Sequence, residues 1–270
     1  MDWATQILAR LVGTLVLRPY VFAFLACFLA ASVRDLGRRR TLAFGGAVWS
    51  LAWLAEFSST RIGIPFGLYH YTGDTWRREL YIANVPFMDS LSFTFLAYAA
   101  FCLARAALAP WQEPPRGGRR RPVGVGHWLG SRLAVAGIGG ALMMALDVVI
   151  DPLAVRGDRW FLGRIFYYPE GGLYFGVPLS NFAGWMIVGA AGIGTYLCFA
   201  GDARGRERLG GVALYYAVAL FNLAVTAWIG EWLLAAVGLG LHGALAVSLR
   251  YLNLSAEAPV DFGERGVQRA

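Results

Sequence analysis

The chain has 270 residues, of which 57% are hydrophobic and only 15% charged, and its formal net charge is +7 at neutral pH. A soluble domain carries roughly a quarter charged residues, so the composition argues against a soluble globular protein. All 24 basic residues are arginines. Because a Schiff base requires a lysine amine, a seven-helix protein with covalently bound retinal is excluded.

Apolar runs follow one another along the chain and predict an all-α fold. The expected architecture is a polytopic transmembrane helical bundle of about seven helices, within a range of six to eight, because about 20 apolar residues cross a bilayer. The runs cover approximately residues 7–33, 41–57, 86–109, 128–150, 179–200, 209–229 and 232–249. Arg18-Pro19 interrupts the first run and predicts an interfacial helix before a short span. The last two runs meet at Gly230-Glu231, which predicts a tight hairpin or a broken helix.

The arginines predict the orientation of the bundle. Eleven of them lie in three connections, at Arg34 and Arg38–Arg40, at Arg116 and Arg119–Arg121, and at Arg204, Arg206 and Arg208. The positive-inside rule places these connections in the cytoplasm and the two long connections, 58–85 and 151–178, on the opposite face. Arg10 and Arg18 weigh mildly against this orientation. Arginines between apolar runs indicate membrane orientation, so membrane lipid rather than nucleic acid is the expected partner.

We expect one integral membrane domain over residues 1–254 and a polar cytoplasmic tail over 255–270. The N-terminus has Asp2 and no basic region, so it is interpreted as retained, not as a signal peptide. The segment 111–127 is rich in Pro, Gly and Arg and predicts a flexible loop. These features predict a multi-pass protein of the cytoplasmic (inner) membrane.

The two long connections resemble each other and predict an internal pseudo-repeat with halves at about 41–109 and 128–200. Glu56 precedes Pro86 by 30 residues, and Asp147 precedes Pro178 by 31. Each proline follows a valine and fits the first turn of a helix. Asp89 and Asn181 then occupy matching positions three residues after the prolines. A site between the halves follows from this alignment.

Acidic residues occur where the apolar runs place the membrane, and we take four as catalytic candidates: Asp147, Glu56, Asp89 and Asp151. A charged side chain at the bilayer centre costs about 2.5–3.5 kcal/mol on insertion scales, so such residues need a partner, a water-filled cavity or a function. Interfacial pairing with Arg61 or Arg156 is the structural alternative. A buried carboxylic acid that stays protonated can act as a general acid.

Aromatic residues crowd the two long connections and the helix ends beside them. An interfacial belt explains such residues without function; alternatively, ring faces line an apolar substrate site and stabilise a carbocation. The candidates for substrate binding are Asn181, Trp53, Tyr69, Tyr71, Tyr168, Tyr174 and Trp185. Three cysteines and three histidines are scattered, so no metal site is expected. Acids beside aromatic rings suit protonation of a carbon–carbon double bond.

Four segments resemble the membrane carotenoid biosynthesis family: WLAEFSSTRIGIPFGLYHYTG, VPFMDSLSF, ALDVVIDPLAVRGDRWFLG and GLYFGVPLSNFAGW. The resemblance covers roughly residues 45–190. Characterised members of that family are carotenoid 1,2-hydratases, including bisanhydrobacterioruberin hydratase. The resemblance implies hydration of the terminal C1–C2 double bond of an acyclic carotenoid end group, which gives a tertiary alcohol. Hydration transfers no electrons, so no cofactor is expected.

The residues suggest roles for this chemistry but leave alternatives open. Asp147 is the first choice and Glu56 the second for the proton donor. Asp89 or Asp151 would orient the attacking water, and Asn181 would hold water or an acid by hydrogen bonding. A carotenoid cyclase would form the same kind of cation and lose a proton instead of capturing water. A non-enzymatic polyene or lipid carrier is the third possibility.

Overall fold

The computed structural model describes residues 3–112, 125–200 and 207–257, and the side chains of residues 3–109, 129–199 and 207–251. Within these ranges the fold is all-α, as predicted. The helices are α1 (Trp3–Leu17), α2 (Pro19–Leu36), α3 (Arg38–Ile62), α4 (Phe87–Gln112), α5 (Val125–Ala154), α6 (Leu179–Ala200), α7 (Leu209–Trp228) and α8 (Trp232–Glu257). The four short strands are β1 (His70–Tyr71), β2 (Tyr81–Ile82), β3 (Val85–Pro86) and β4 (Phe166–Tyr167).

Several sequence expectations fall at or beyond the ends of the described ranges. The arginines at 116–121, Arg204, Arg206 and the tail from residue 258 lie outside the described residues. At its two described ends, the predicted loop 111–127 is helical, because α4 continues through Gln112 and α5 begins at Val125. Helix α8 likewise runs to Glu257, past the expected end of the membrane domain.

Six of the described helices, α2 and α4–α8, are long and apolar enough to cross a membrane. The chain is therefore a multi-pass membrane protein. Helix α3 has 25 residues but begins with three arginines and contains Glu56, which lowers its mean hydropathy. It packs along α4 and α6 between the same two ends of the bundle. Helix α1 is shorter and ends before Arg18, where the sequence predicts the break.

The centre of the bundle is a ring of four helices in which α3 and α5 each pack against both α4 and α6. Helices α5 and α6 approach so closely at Gly140 that a Cβ atom there would lie 2.3 Å from the Met186 carbonyl oxygen. Small residues allow such contacts between membrane helices. Helices α2, α7 and α8 pack outside this ring: α2 against α3, α4 and α7, and α7 and α8 against α4, α5 and each other. The pseudo-repeat stays a prediction. The arrangement of the helices is compatible with it.

The two long connections meet at one end of the bundle, which we call the loop end. Strand β1 pairs with β4 in antiparallel fashion, with His70 opposite Tyr167 and Tyr71 opposite Phe166. One strand comes from each connection, so both connections lie on the same face, as the arginine distribution predicts. Which compartment this face contacts stays a prediction.

The opposite end, which we call the arginine end, is joined by a buried ionic network. Arg105 of α4 donates to the Asp35 carboxylate of α2 at 2.5 Å, and the Tyr98 hydroxyl donates to the same oxygen at 3.2 Å. The backbone N–H of Glu207, just before α7, donates to the other Asp35 oxygen at 3.1 Å. One carboxylate therefore connects three helices at this end.

Arg18 forms a second buried ion pair, at the break between α1 and α2. Its Nη2 lies 3.2 Å from Glu79 Oε1 in the first long connection, and both side chains are almost fully buried. Its Nη1 donates to the Leu162 carbonyl oxygen in the second connection at 2.7 Å. Arg18 is buried and paired, so it holds the start of α2 to both connections. Because its partners explain its position, Arg18 does not argue against the predicted orientation.

The last two helices form a tight hairpin, one of the two predicted possibilities. Helix α7 ends at Trp228, α8 begins at Trp232, and the two pack side by side. Gly230 adopts a φ of 80°, a conformation that favours glycine. Glu231 follows it and forms ion pairs with Arg156, at 3.1 Å, and with Arg159. The charge of these arginines outweighs partial desolvation and lowers the pKa of Glu231.

The predicted topology can be tested by labelling cysteines from one side of the membrane. Serines first replace Cys27 and Cys198, the two exposed cysteines among the described residues. Asp74→Cys and Asp158→Cys place thiols in the two long connections, and Arg39→Cys places one at the arginine end. A membrane-impermeant maleimide should react with the first two in intact cells and with the third only after permeabilisation. Labelling of positions 39 and 158 from the same side would contradict the topology.

The Arg18–Glu79 pair should stabilise the attachment of α2 to the connections. Arg18→Met leaves a buried carboxylate unpaired, so unfolding in detergent should require about 3–5 kcal/mol less free energy. The double variant Arg18→Met with Glu79→Gln removes the unpaired charge and should recover much of that loss. A double variant no more stable than the single variant would show that the charge pair is not the cause.

Candidate active site

A cavity opens inside the bundle near the loop end. The empty space within it is about 920 Å³ when the open space at its mouth is included. Its polar wall consists of Glu56, Tyr69, Tyr71, Asp89, Ser92, Asp151, Tyr168, Asn181 and Asn222. The rest of the wall is apolar or aromatic. Among the described residues that line the cavity, no side chain is basic.

Each helix of the central ring contributes at least one polar side chain to this wall near the loop end. Glu56 lies in the last two turns of α3, and Asp151 lies in the last turn of α5. Asp89 and Asn181 lie in the first turns of α4 and α6. The sequence spacing predicted these positions, and the structure brings the four side chains to one cavity.

Asn181 connects the two aspartates of α5. Its Nδ2 donates to Asp147 Oδ2 at 2.7 Å and to Asp151 Oδ2 at 2.8 Å. The Trp185 indole N–H, one turn further along α6, donates to the same Asp151 oxygen at 3.3 Å. Asp151 therefore accepts two hydrogen bonds on one oxygen while its side chain remains on the cavity wall.

Asp147 lies behind the cavity wall rather than on it. Its side chain is 0% exposed, and it is absent from the residues that line the cavity. Its Oδ1 has no hydrogen-bond partner among the described residues. The side chain is connected to the cavity through Asn181, whose amide donates to it, and through its neighbour Asp151 one turn along α5. A direct proton donor must contact the substrate, and Asp147 does not line the cavity, although the sequence made it the first choice.

Glu56 lies on the wall, is 5% exposed, and its Oε2 has no hydrogen-bond partner among the described residues. The arginine proposed as its interfacial partner is engaged elsewhere, because Arg61 donates to the Phe57 carbonyl oxygen and to Asn84 Oδ1. Arg156, the alternative partner of Asp151, pairs with Glu231. The structural alternative of ion pairing therefore does not describe these two cavity acids.

Tyrosines from the two connections form the roof of the cavity. The Tyr69 and Tyr71 hydroxyls lie 3.4 Å apart, and the Tyr69 ring meets that of Tyr168 edge to face, with centroids 5.8 Å apart. Burial raises the pKa of the Tyr69 hydroxyl well above its ordinary value, and the nearby Glu56 carboxyl raises it further. Burial also raises the pKa of Tyr168. These hydroxyls therefore stay protonated and can donate hydrogen bonds.

Two predicted binding residues lie away from the cavity. Trp53 donates its indole N–H to the Ile82 carbonyl oxygen at 3.3 Å and stacks on Phe57. Tyr174 packs edge to face against Phe182. Both attach the connections to the helices. Trp53 shares a face of α3 with Glu56, three residues later, but its indole is directed to the first connection and not into the cavity.

The sequence interpretation missed a group of residues from α2 and α7. Tyr20 and Phe24 of α2 and Phe221 of α7 line the cavity opposite the acids. The i, i+4 spacing of the two α2 rings indicates one helix face. However, aromatic residues near a membrane interface are common, so the spacing alone carries no functional meaning.

The fold and the cavity define a class of protein, a polytopic helical membrane protein with a buried pocket lined by acids and aromatic rings. The sequence profile of the family described as carotenoid biosynthesis protein matches residues 11–245, so the chain belongs to this family. The resemblance over residues 45–190 is thereby confirmed and extended at both ends. Searches of curated proteins and of solved structures gave no match.

Proposed function

We propose that this protein is a carotenoid 1,2-hydratase of the cytoplasmic membrane. It adds water to the terminal C1–C2 double bond of an acyclic carotenoid end group and produces a tertiary alcohol. One observation carries this proposal: carboxyl groups from three helices, Glu56, Asp89 and Asp151, face one aromatic cavity whose described wall has no basic side chain. Membership of the carotenoid biosynthesis family supplies the substrate class.

Glu56 is the proton donor in this proposal. Burial without a counter-charge favours the neutral carboxylic acid, and its Oε2 accepts no hydrogen bond from the described residues. The acid donates its proton to C2, and the electrons of the double bond form the new C–H bond. The positive charge appears at C1, the more substituted carbon, and Glu56 becomes a carboxylate.

Asp151 orients the water that captures the cation. Two N–H groups, from Asn181 and Trp185, bind one of its oxygens and favour its carboxylate form, so the other oxygen can accept a proton from water. Water oxygen bonds to C1 and its proton passes to Asp151, or to Asp89 on the same wall. Return of a proton to Glu56 completes the cycle, so the net change is addition of one water molecule.

Asp147 is a positioning residue in this mechanism. It holds the Asn181 amide from behind, at 2.7 Å, and so fixes the group that orients Asp151. The rings of Phe93 and Trp185, stacked with centroids 4.2 Å apart, form part of the wall on which the cation develops. A cation over an aromatic face gains about 0.5–2 kcal/mol.

A cyclase would start from the same cation, and a carrier would leave the polyene unchanged. The polar wall favours water capture, because carboxyl, amide and hydroxyl groups surround the acids and can hold a water molecule beside the end group. A cyclase instead benefits from a dry wall that folds the chain on itself. Product mass separates a hydratase from the other two functions, and a ring in the product separates a cyclase from a carrier.

Substitution of the acids tests the assigned roles. Glu56→Gln and Asp151→Asn should each reduce hydrated product by about 100-fold or more, because general acids and bases contribute roughly 10²–10⁴-fold. Asp147→Asn should reduce it less, since an amide can still contact Asn181. The measurement is tertiary alcohol formed per amount of membrane-inserted protein.

Asp158→Asn, at an exposed acid in the second connection, is the matched control and should retain activity. Glu56→Asp separates catalysis from packing, because it keeps the titrating group and should retain part of the activity that Glu56→Gln loses. Near wild-type turnover in both Glu56→Gln and Asp151→Asn would rule out the proposed mechanism. Loss of membrane insertion in both would favour a structural role.

A further inference from the structure

Helices α2 and α7 touch at the arginine end but are separated by aromatic rings at the loop end. A Cβ atom at Gly210 would lie 2.9 Å from the Ala31 Cβ, so the two backbones are in contact there. Toward the loop end, Tyr20 stacks on Phe221 with ring centroids 5.2 Å apart and an interplanar angle of 18°. Phe24 meets Phe221 edge to face at 5.6 Å. The rings fill a gap that widens between the helices.

These three rings lie between the cavity and the outer surface of the bundle. All three belong to the cavity wall, and each is only partly buried. On the outer side Tyr20 also contacts Phe161 at 5.7 Å, and Phe161 is 53% exposed. Helix α2 itself is peripheral, with 28% of its span buried. A thin aromatic wall therefore separates the cavity from the bilayer at this position.

We propose that Tyr20, Phe24 and Phe221 form a lateral gate, the aromatic gate, through which a linear polyene passes from the bilayer to the cavity acids. This inference rests on the proposed function for the identity of the occupant. A rigid conjugated chain extends far beyond a cavity of this size, so only its end group reaches Glu56 and Asp151. The remainder of the chain stays in the membrane and crosses the wall between α2 and α7.

Among the described residues, strand pairing, an ion pair and helix packing hold the other sides of the cavity together. The β1–β4 pair and the Arg18 contacts to Glu79 and Leu162 close the loop end. The four helices of the central ring pack against one another on the far side. Because Arg18 fixes the start of α2, the gap opens by rotation of the three ring side chains and breaks no backbone hydrogen bond. The apolar faces of the rings also match the chemistry of a polyene.

A reversible cross-link across the gate tests this inference. Tyr20→Cys and Phe221→Cys are introduced into full-length protein in which serines replace the exposed Cys27 and Cys198. A short bis-methanethiosulfonate reagent then joins α2 to α7 in lipid vesicles; it forms a disulfide with each cysteine, releases sulfinate, and is cleaved by a reductant. Cross-linking before addition of an acyclic carotenoid should abolish its uptake, and cross-linking after loading should trap it. Cleavage of the linker should restore uptake and release in the same sample, which shows that the protein remained folded.

Tyr20→Cys alone and Phe221→Cys alone are the matched controls, because the same reagent cannot then join α2 to α7; treatment of either single variant should leave uptake unchanged. Uptake is measured as carotenoid extracted per purified protein, and hydrated product is measured in the same extract. Equal uptake before and after cross-linking at the gate, or equal inhibition of the single variants, would overturn the gate. Uptake that responds to the gate without any alcohol formed would support the gate and contradict the hydratase.

Discussion

A carboxyl group inside a membrane protein must be neutral, paired or hydrogen-bonded, and this constraint organises the loop end of the bundle. Some of its acids are paired with arginines, and others line the cavity. Glu79 is paired with Arg18, and Glu231 with Arg156 and Arg159, so these acids hold helices and connections together. Glu56 faces the cavity without such a partner among the described residues. The paired acids therefore join helices to connections, and the cavity acids are the ones whose protons can take part in the proposed chemistry.

The sequence singled out the acids because a polar residue within an apolar run is conspicuous, and because Val-Pro marks the helix starts that carry Asp89 and Asn181. It did not separate Asp147 from Asp151. Both share one face of α5 and both accept a hydrogen bond from Asn181, and only the three-dimensional arrangement shows that Asp151, one turn nearer the loop end, lines the cavity. Buried Arg18 was likewise interpreted as an orientation signal, because its partners are distant in sequence.

The contribution of α2 and α7 could not be predicted for a different reason. Rings such as Tyr20 and Phe221 occur in many membrane helices near the interface, and their meaning arises only from the pairing of two helices that are far apart in the chain. The loop end is fixed by Arg18 and the β1–β4 pair, whereas aromatic rings lie between α2 and α7 on the side that faces lipid. The proposed aromatic gate depends on this difference.

The most direct test of the account is isotope analysis of the product formed in water labelled with both heavy oxygen and deuterium. Wild-type protein in lipid vesicles is incubated with an acyclic carotenoid, and the extracted pigments are examined by mass spectrometry. Acid-catalysed hydration predicts one labelled oxygen on the tertiary carbon and one deuterium on the neighbouring carbon. A ring-containing product with no added oxygen, and with at most one deuterium in place of a hydrogen, would contradict hydration and indicate a cyclase, and recovery of the unchanged carotenoid alone would contradict catalysis.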